Sequence, residues 1–232
     1  MNIALFSLKS NLAYKKEIAK EVKKQGHMIV QKNPALVISV GGDGTFFFAE
    51  RKYPSIPKIF IRRSKVCRKC QNIPLPKMLS YLHQRKFSIE HLPKLEARVN
   101  NKVLLGVNDI TIRNKQPQYA LRFSLRINNK PINKEYIGDG LVIATPYGST
   151  AYFHSITKKT FTKGIGIAFN NTTVSHAPLL LTGKEKIEMQ INREKAILTA
   201  DNNPRLVNLH PGKKVVIQRS QKTASLIRFP SR

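Results

Sequence analysis

Ala35-Leu36-Val37-Ile38-Ser39-Val40-Gly41-Gly42-Asp43-Gly44-Thr45 is the stretch on which the fold turns. Leu36 to Val40 is a short, almost continuous apolar run rich in β-branched residues. Such a run suits a strand buried on both faces, as in a parallel sheet. It stops at three glycines in four positions, which let the backbone bend tightly and approach a ligand closely. Thr45 is expected to open a helix through Phe46, Phe47, Phe48, Ala49 and Glu50. A strand, a glycine turn and a helix start aim amide N–H groups at an anion, so the stretch is ready to hold phosphate. Asp43 is the odd member, because a carboxylate in a phosphate cradle repels phosphate. Proton abstraction from a hydroxyl that attacks phosphorus would account for it. The alternative is a tight turn in which Asp43 caps the next helix. The loop matches neither Gly-x-x-x-x-Gly-Lys-Ser/Thr nor Gly-x-Gly-x-x-Gly, and by itself it leaves both readings open.

The 232 residues suffice for one large or two small domains with proper cores, and an apolar fraction of 41% is ordinary for a folded chain. No apolar run approaches the ~18–20 residues that span a bilayer. Met1 to Leu8 has neither a basic start nor a long apolar core, so no signal peptide is expected. Two cysteines, Cys67 and Cys70, cannot build a disulfide framework, which points to a reducing, cytoplasmic setting. Lys and Arg number 41 against 13 Asp and Glu, a formal charge of +28. A chain so charged attracts polyanions in general, nucleotides, polyphosphate and nucleic acid among them. The basic residues run from Lys15 to Arg228 without a dominant tail, and most are expected on a solvated surface.

Along the chain, Asn2–Ser7 reads as a first strand. Ser10 or Asn11 can cap a helix from Leu12 to about Gln25, with Tyr14, Ile18 and Val22 inward and lysines outward. His27–Gln31 and Lys58–Ile61 read as further strands. This order argues for a small α/β domain with a parallel sheet, in which ligands sit beyond the carboxyl ends of the strands, where Gly41–Thr45 lies. Arg62 to Cys70 is the most basic local run. Cys67-x-x-Cys70 supplies half of a zinc site, but no second cysteine pair exists and His83 and His91 lack partner spacing, so two reduced thiols are expected. Pro74 and Pro76 introduce a helix from about Lys77 to Gln84.

From Phe87 the texture changes to short strands: Ser88–Leu92, Ala97–Val99, Val103–Val107, Ile110–Ile112, Leu121–Ile127, Leu141–Ala144, Ile165–Phe169, Leu179–Thr182, Ile187–Ile191, Ala196–Thr199 and Val215–Gln218. Dense strands with turn residues such as Asn100-Asn101 and Asn128-Asn129 between them argue for a β-rich second domain. The expected domains are 1–92 and 93–232, the last segment packing back on the first. Three polar clusters interrupt the strands. Asn108-Asp109 can cap a turn or reach a ligand. In Gly138 to Ser155, a Gly-Asp-Gly turn leads into a buried strand, Thr145-Pro146-Tyr147-Gly148 turns the chain, and Ser149-Thr150 can cap a helix starting at Ala151. Its hydroxyls, amides and Tyr152 suit a nucleotide. Asp201-Asn202-Asn203 is the third.

Gly41-Gly42-Asp43-Gly44-Thr45, Asn108-Asp109 and the run from Asp139-Gly140 to Ser155 together resemble the NAD kinases, in order and at similar separations. The first motif is shared with diacylglycerol, sphingosine and phosphofructokinases, whereas Thr145-Pro146-Tyr147-Gly148-Ser149-Thr150-Ala151-Tyr152 is highly specific. The resemblance extends to about Ile217. It implies an N-terminal Rossmann-like α/β domain with a parallel sheet and a C-terminal β-rich domain, with NAD bound between them. It also implies phosphorylation of the 2′-hydroxyl of NAD's adenosine ribose, using ATP or polyphosphate with a divalent metal, Mg2+ being expected. Asp43 would be the general base and contact the adenosine ribose. Gly41, Gly42, Gly44 and Thr45 would lie at the phosphates. Asn108 and Asp109 would bind NAD, Asp109 standing where the family usually has Glu. Asp139 would hold the nicotinamide end, and Thr150, Ala151, Tyr152 and Ser155 would contact adenosine and nicotinamide. Asn203 is a further contact by its place beside Asp201. No residue is assigned to metal. A homo-oligomer, dimer or tetramer, is expected, with no membrane and only charge-driven contact with nucleic acid.

The chain departs from the family in places. The glycine-rich Gly-x-Asn-x-Gly-x-x-Gly-Phe stretch is replaced by Ile61–Cys70, which has no glycine and carries Arg62, Arg63, Lys65, Arg68 and Lys69. An arginine usual near His176-Ala177-Pro178 is absent, and the usual C-terminal helix is reduced to Ser225–Arg232. Two alternatives stand beside the NAD kinase reading. A lipid or sphingoid kinase would share the glycine loop but lacks the Thr145–Tyr152 run. A basic nucleic-acid-binding protein would show a positive stripe with interleaved aromatics or a known reader motif.

Overall fold

The computed structural model describes residues 1–7, 12–62, 71 and 73–230. Its first elements are β1 (Asn2–Ser7), α1 (Leu12–Lys24), β2 (Met28–Ile29), β3 (Leu36–Gly41), α2 (Asp43–Lys52), β4 (Lys58–Arg62) and α3 (Leu75–His83). β3 is buried at every residue, as its unbroken apolar sequence requires. It lies between β1 and β4 and is parallel to both, with Ile38 opposite Leu5 and Ile59. Alternate residues face opposite ways, so one side of this sheet (Ile3, Leu36, Ile38, Ile59) packs on Ile18 and Val22 of α1 and on Met78, Leu79 and Leu82 of α3. The other side, with Ala4 and Val37, meets Ala49 of α2 and Tyr53. Phe46 of α2 stacks on Phe60 of β4, centroids 4.8 Å apart.

The glycine-loop helix starts at Asp43, two residues before the expected Thr45. Gly42 is its N-cap in an extended conformation, and Thr45 N–H and Phe46 N–H both donate to Gly42 O. α3 likewise starts early, at Leu75, because Pro76 fits a first turn where its missing N–H costs nothing. The expected cap residues Ser10 and Asn11, the Arg63–Lys69 part of the basic run, and both cysteines lie outside the described residues.

The chain continues through β5 (Ser88–Val99), β6 (Lys102–Gly106), β7 (Asp109–Asn114), β8 (Leu121–Ile127), β9 (Lys130–Gly138), β10 (Gly140–Ala144), α4 (Tyr152–Thr157), β11 (Ile165–Asn170), β12 (Leu179–Leu181), β13 (Ile187–Arg193), β14 (Ala196–Ala200), β15 (Val207–Leu209) and β16 (Lys214–Arg228). It divides into two units, Met1–Leu92 with Thr223–Arg232, and Pro93–Lys222. β5 leaves the first unit and β16 returns to it. In the second unit an antiparallel sheet runs β12-β11-β10-β7-β14-β15, and β9-β8-β13 continues onto the start of β16. The main apolar core of the unit takes Ile110, Ile112, Leu141, Ile143 and Ile167 from the first sheet and Phe123, Leu125, Met189 and Ile217 from the second. In the first unit, the far end of β16 joins the parallel sheet through Leu226 opposite Lys58. The side-chain amide of Gln71 then ties Phe229 at both its N–H (2.9 Å) and its C=O (2.8 Å).

Three expectations about elements are corrected. The two strands drawn at 88–92 and 97–99 are one strand, since Pro93 keeps an extended φ and removes only one ladder donor. β9 and β15 were not foreseen. β9 is polar, but a turn in which Asn128 and Asn129 both have positive φ (50° and 66°) folds it back on β8. β16 runs on to Arg228, so Ser225–Arg228 is strand rather than a remnant helix. No described helix is long and apolar enough to cross a membrane.

Candidate active site

In the first unit the site is built on the end of β3. Gly41 has φ +152°, a conformation side chains disfavour, and a Cβ there would run into the Thr45 side chain. The strand can therefore close directly onto α2. Asp43 is the first residue of the helix and half-buried; its carboxylate stands in the first turn, and no side chain caps the helix. The capping reading of Asp43 is thus not what the backbone uses. A carboxylate is electrostatically tolerated in this first turn, beside amides that also favour phosphate.

In the second unit, three stretches far apart in sequence meet at one turn. Asn108 and Asp109 are each 8% exposed. The carboxylate of Asp201 accepts three successive amides of that turn: Val107 N–H at 2.8 Å, Asn108 N–H at 2.7 Å and Asp109 N–H at 3.2 Å. Asp201 N–H in turn donates to Asp109 O at 3.0 Å. From the other side, Thr145 Oγ1 donates to Val107 O at 2.6 Å and Thr145 N–H donates to Asn108 O at 2.9 Å. The same hydroxyl accepts Gly148 N–H at 3.1 Å. Gly148 lies so close to Asn108 that a Cβ would collide with the Asn108 backbone, so the Thr145–Ser149 turn needs glycine there. Thr111 Oγ1 donates to Asp109 Oδ1 at 3.3 Å.

Asp139 is placed elsewhere. Ala144 is opposite Asp109 and Gly140 is opposite Arg113, so β10 separates the Asn108–Asp109 turn from Asp139. Five residue steps, from Ala144 to Asp139, span roughly 17 Å at ~3.4 Å per residue. The Asp139 carboxylate accepts Asn114 Nδ2 at 3.2 Å and Asn171 Nδ2 at 3.1 Å, and Asp139 N–H donates to Asn170 O. Tyr152 reaches toward this end, its hydroxyl accepting Asn170 Nδ2 at 3.2 Å. The helix expected to start at Ala151 starts one residue later and spans Tyr152–Thr157, with Ala151 as N-cap. Ser149 and Thr150 belong to a preceding 3-10 turn, Gly148–Thr150, and cap nothing. Ser149 Oγ instead donates to Pro146 O at 2.8 Å, while Ser155 Oγ donates back to Ala151 O. Phe153 buries α4 on Val142, Ala144 and Ala168. Thr150, Ala151 and Tyr152 are half-buried and Ser155 is exposed. Asn203 Oδ1 accepts Arg205 N–H at 3.0 Å, a contact within its own loop.

The structure thus brings Asn108 and Asp109 together with the Thr145–Thr150 turn, and Tyr152 with the Asp139 end. Asp201 and Thr145, which bind the Asn108–Asp109 turn, are not among the site residues expected from the sequence. An aspartate beginning a polar cluster after a strand was the available signal.

Comparison with known proteins gives the following. Residues 107–229 match the family model of the ATP-NAD kinase C-terminal domain. The NAD kinase of Sulfurisphaera tokodaii is 31% identical over 188 residues, covering 78% of this chain and 74% of that protein. The NAD kinase of Sulfurimonas denitrificans is 28% identical over 204 residues, 82% of this chain and 71% of that protein. In structure the chain is similar to an NAD kinase from Archaeoglobus fulgidus solved with ATP, with TM-score 0.81 at 19% identity over 99% of this chain and 94% of that one. It is also similar to yeast NADH kinase solved with NADH, with TM-score 0.85 at 15% identity over 99% and 84%.

Proposed function

The chain belongs to the NAD kinase family, and from that premise we propose that it transfers a phosphoryl group from ATP to the 2′-hydroxyl of the adenosine ribose of NAD, giving NADP. In the step, the Asp43 carboxylate takes the hydroxyl proton, the ribose oxygen forms a bond to the γ-phosphorus, and the bond from that phosphorus to the β–γ bridging oxygen breaks, releasing ADP. The observation that carries this reading is the placement of Asp43 in the first turn of α2, immediately after the tight Gly41 closure, where a Cβ would run into Thr45. Asn108, Asp109 and the Thr150–Tyr152 segment would bind the NAD, with Asp139 at its nicotinamide end and Asn203 as a minor contact. Gly41, Gly42, Gly44 and Thr45 would face phosphates.

Polyphosphate as a second donor is supported by the +28 charge, which favours any polyanion. A divalent metal is supported by the chemistry of the donor. Mg2+ is commonly held by one or two carboxylates together with substrate phosphates and water, and its role would be to neutralise charge on the donor phosphates. A cytoplasmic setting and a homodimer or homotetramer complete the reading. The deciding experiment is purified protein with NAD, Mg2+ and either ATP or polyphosphate, assayed for NADP. Formation of NADP with at least one donor supports the proposal; phosphorylation of a lipid or sphingoid base in its place sinks it.

A further inference from the structure

We infer that Asp201 and Thr145 are positioning residues for NAD: they hold the Asn108–Asp109 turn from opposite sides and so present its two side chains to the substrate. The inference rests on the reading of Asn108 and Asp109 as NAD-binding residues. The turn has three consecutive amides, Val107, Asn108 and Asp109, all pointing one way. Left to itself, a run of parallel N–H dipoles is an anion site. Here the protein supplies the anion: both oxygens of Asp201 are engaged, Oδ2 by Val107 and Oδ1 by Asn108 and Asp109. Two of the turn's carbonyls go the other way, while Asp109 O accepts Asp201 N–H. Val107 O accepts the Thr145 hydroxyl and Asn108 O accepts Thr145 N–H. The three amides and one carbonyl are held at β14's end and two carbonyls at β10's end, and the turn cannot rotate without breaking one set.

Charge-assisted bonds of this kind are shorter and stronger than neutral ones, and the 2.7–2.8 Å pair fits that. The chain accepts an unfavourable backbone at Asp201, φ +47°, to place the carboxylate there. Asp and Asn are among the few side chains that tolerate that conformation. Asp201→Asn therefore keeps the backbone and the shape. It sets an amide NH2 against Val107 N–H, two donors facing each other, while one oxygen still serves Asn108 and Asp109. Thr145→Val removes the hydroxyl on the opposite side at nearly equal volume.

The test measures NAD affinity by calorimetry and the separate KM values for NAD and ATP, at a temperature well below each variant's melting point, for Asp201→Asn, Thr145→Val and Asn108→Ala. Displacement of the turn should raise the NAD dissociation constant and KM about tenfold in Asp201→Asn, the scale of one lost charge-assisted hydrogen bond. KM for ATP should stay within about twofold, a split that general loosening of the protein would not give. A folded Asp201→Asn with unchanged NAD affinity, alongside a weakened Asn108→Ala, overturns the inference. If Asp201→Asn does not fold, Thr145→Val decides by the same split. Unchanged NAD affinity in Asn108→Ala overturns the site reading itself, and the inference with it.

Discussion

Asp43 was legible as a residue because its chemistry is out of place in a phosphate loop. The sequence left its role between base and cap, and the backbone places Gly42 at the N-cap, with Asp43 in the first turn. Asp43→Asn keeps size and shape while removing the base. Turnover should fall by roughly 10²–10⁴, the usual worth of general-base catalysis, with KM for NAD little changed. Near-normal turnover with unaltered metal dependence would assign the proton to another group. The Tyr152 ring sits at the edge of the Phe153 cluster while its hydroxyl meets Asn170 beside Asp139. Tyr152→Ala should weaken NAD more than ATP, by roughly 1–3 kcal/mol if a base or nicotinamide stacks on the ring, by analogy with nucleobase stacking. Equal weakening of both substrates with a lowered melting temperature would make it a packing residue.

At the scale of elements, α2 is anchored at the end away from Asp43 by a buried ion pair. Lys58, at the first position of β4, is 0% exposed, and its ammonium meets the Glu50 carboxylate. It also donates to Tyr53 O and Ile56 O, both at 2.7 Å, while Glu50 Oε1 accepts Ser55 N–H at 3.0 Å. These contacts fix the turn between helix and strand, where Ser55 has φ +64°. Glu50→Gln leaves a buried ammonium without its counter-ion and should cost about 3–5 kcal/mol in chemical denaturation. The double variant Glu50→Gln/Lys58→Met should recover part of that loss. If the single variant is neutral, the pair adds nothing to the first unit. The long β16 pairs with β13 in the second unit, and its last residues belong to the first, where Leu226 lies opposite Lys58 and the Gln71 clasp holds Phe229. Sequence reasoning saw only its apolar start, Val215–Gln218, because Arg219–Thr223 is polar and hides the continuation.

For the molecule as a whole, 41 basic against 13 acidic side chains make long-range electrostatics the leading influence on anionic substrates. Polyphosphate has many charges and ATP few. Raising ionic strength from 0.01 M to 0.15 M shortens the Debye length from about 30 Å to about 8 Å. KM for polyphosphate should therefore climb steeply over that range, and KM for ATP much less. Replacing Arg62 and Arg63 by Gln should flatten the polyphosphate dependence if the run from Arg62 to Lys69 lies at the donor. An unchanged slope would leave that run as general surface charge.

The sequence by itself determined the buried β3, the glycine closure, the switch from α/β to dense strands near Phe87, and the family. Each depends on local rules: an unbroken apolar run demands burial on both faces, glycine alone accepts the φ of Gly41, and a long motif such as Thr145–Tyr152 is too specific to arise by chance. Only the tertiary structure decided that Asp201 and Thr145 grip the Asn108–Asp109 turn, that Asp139 stands at the other end of β10, and that Ser149 and Thr150 cap no helix. Those facts depend on strand register, which brings residues as distant as 108 and 201 within hydrogen-bond reach. Register is set by which apolar faces meet in the shared core and by turns such as Asn128-Asn129, so it emerges only when all the strands have found their partners.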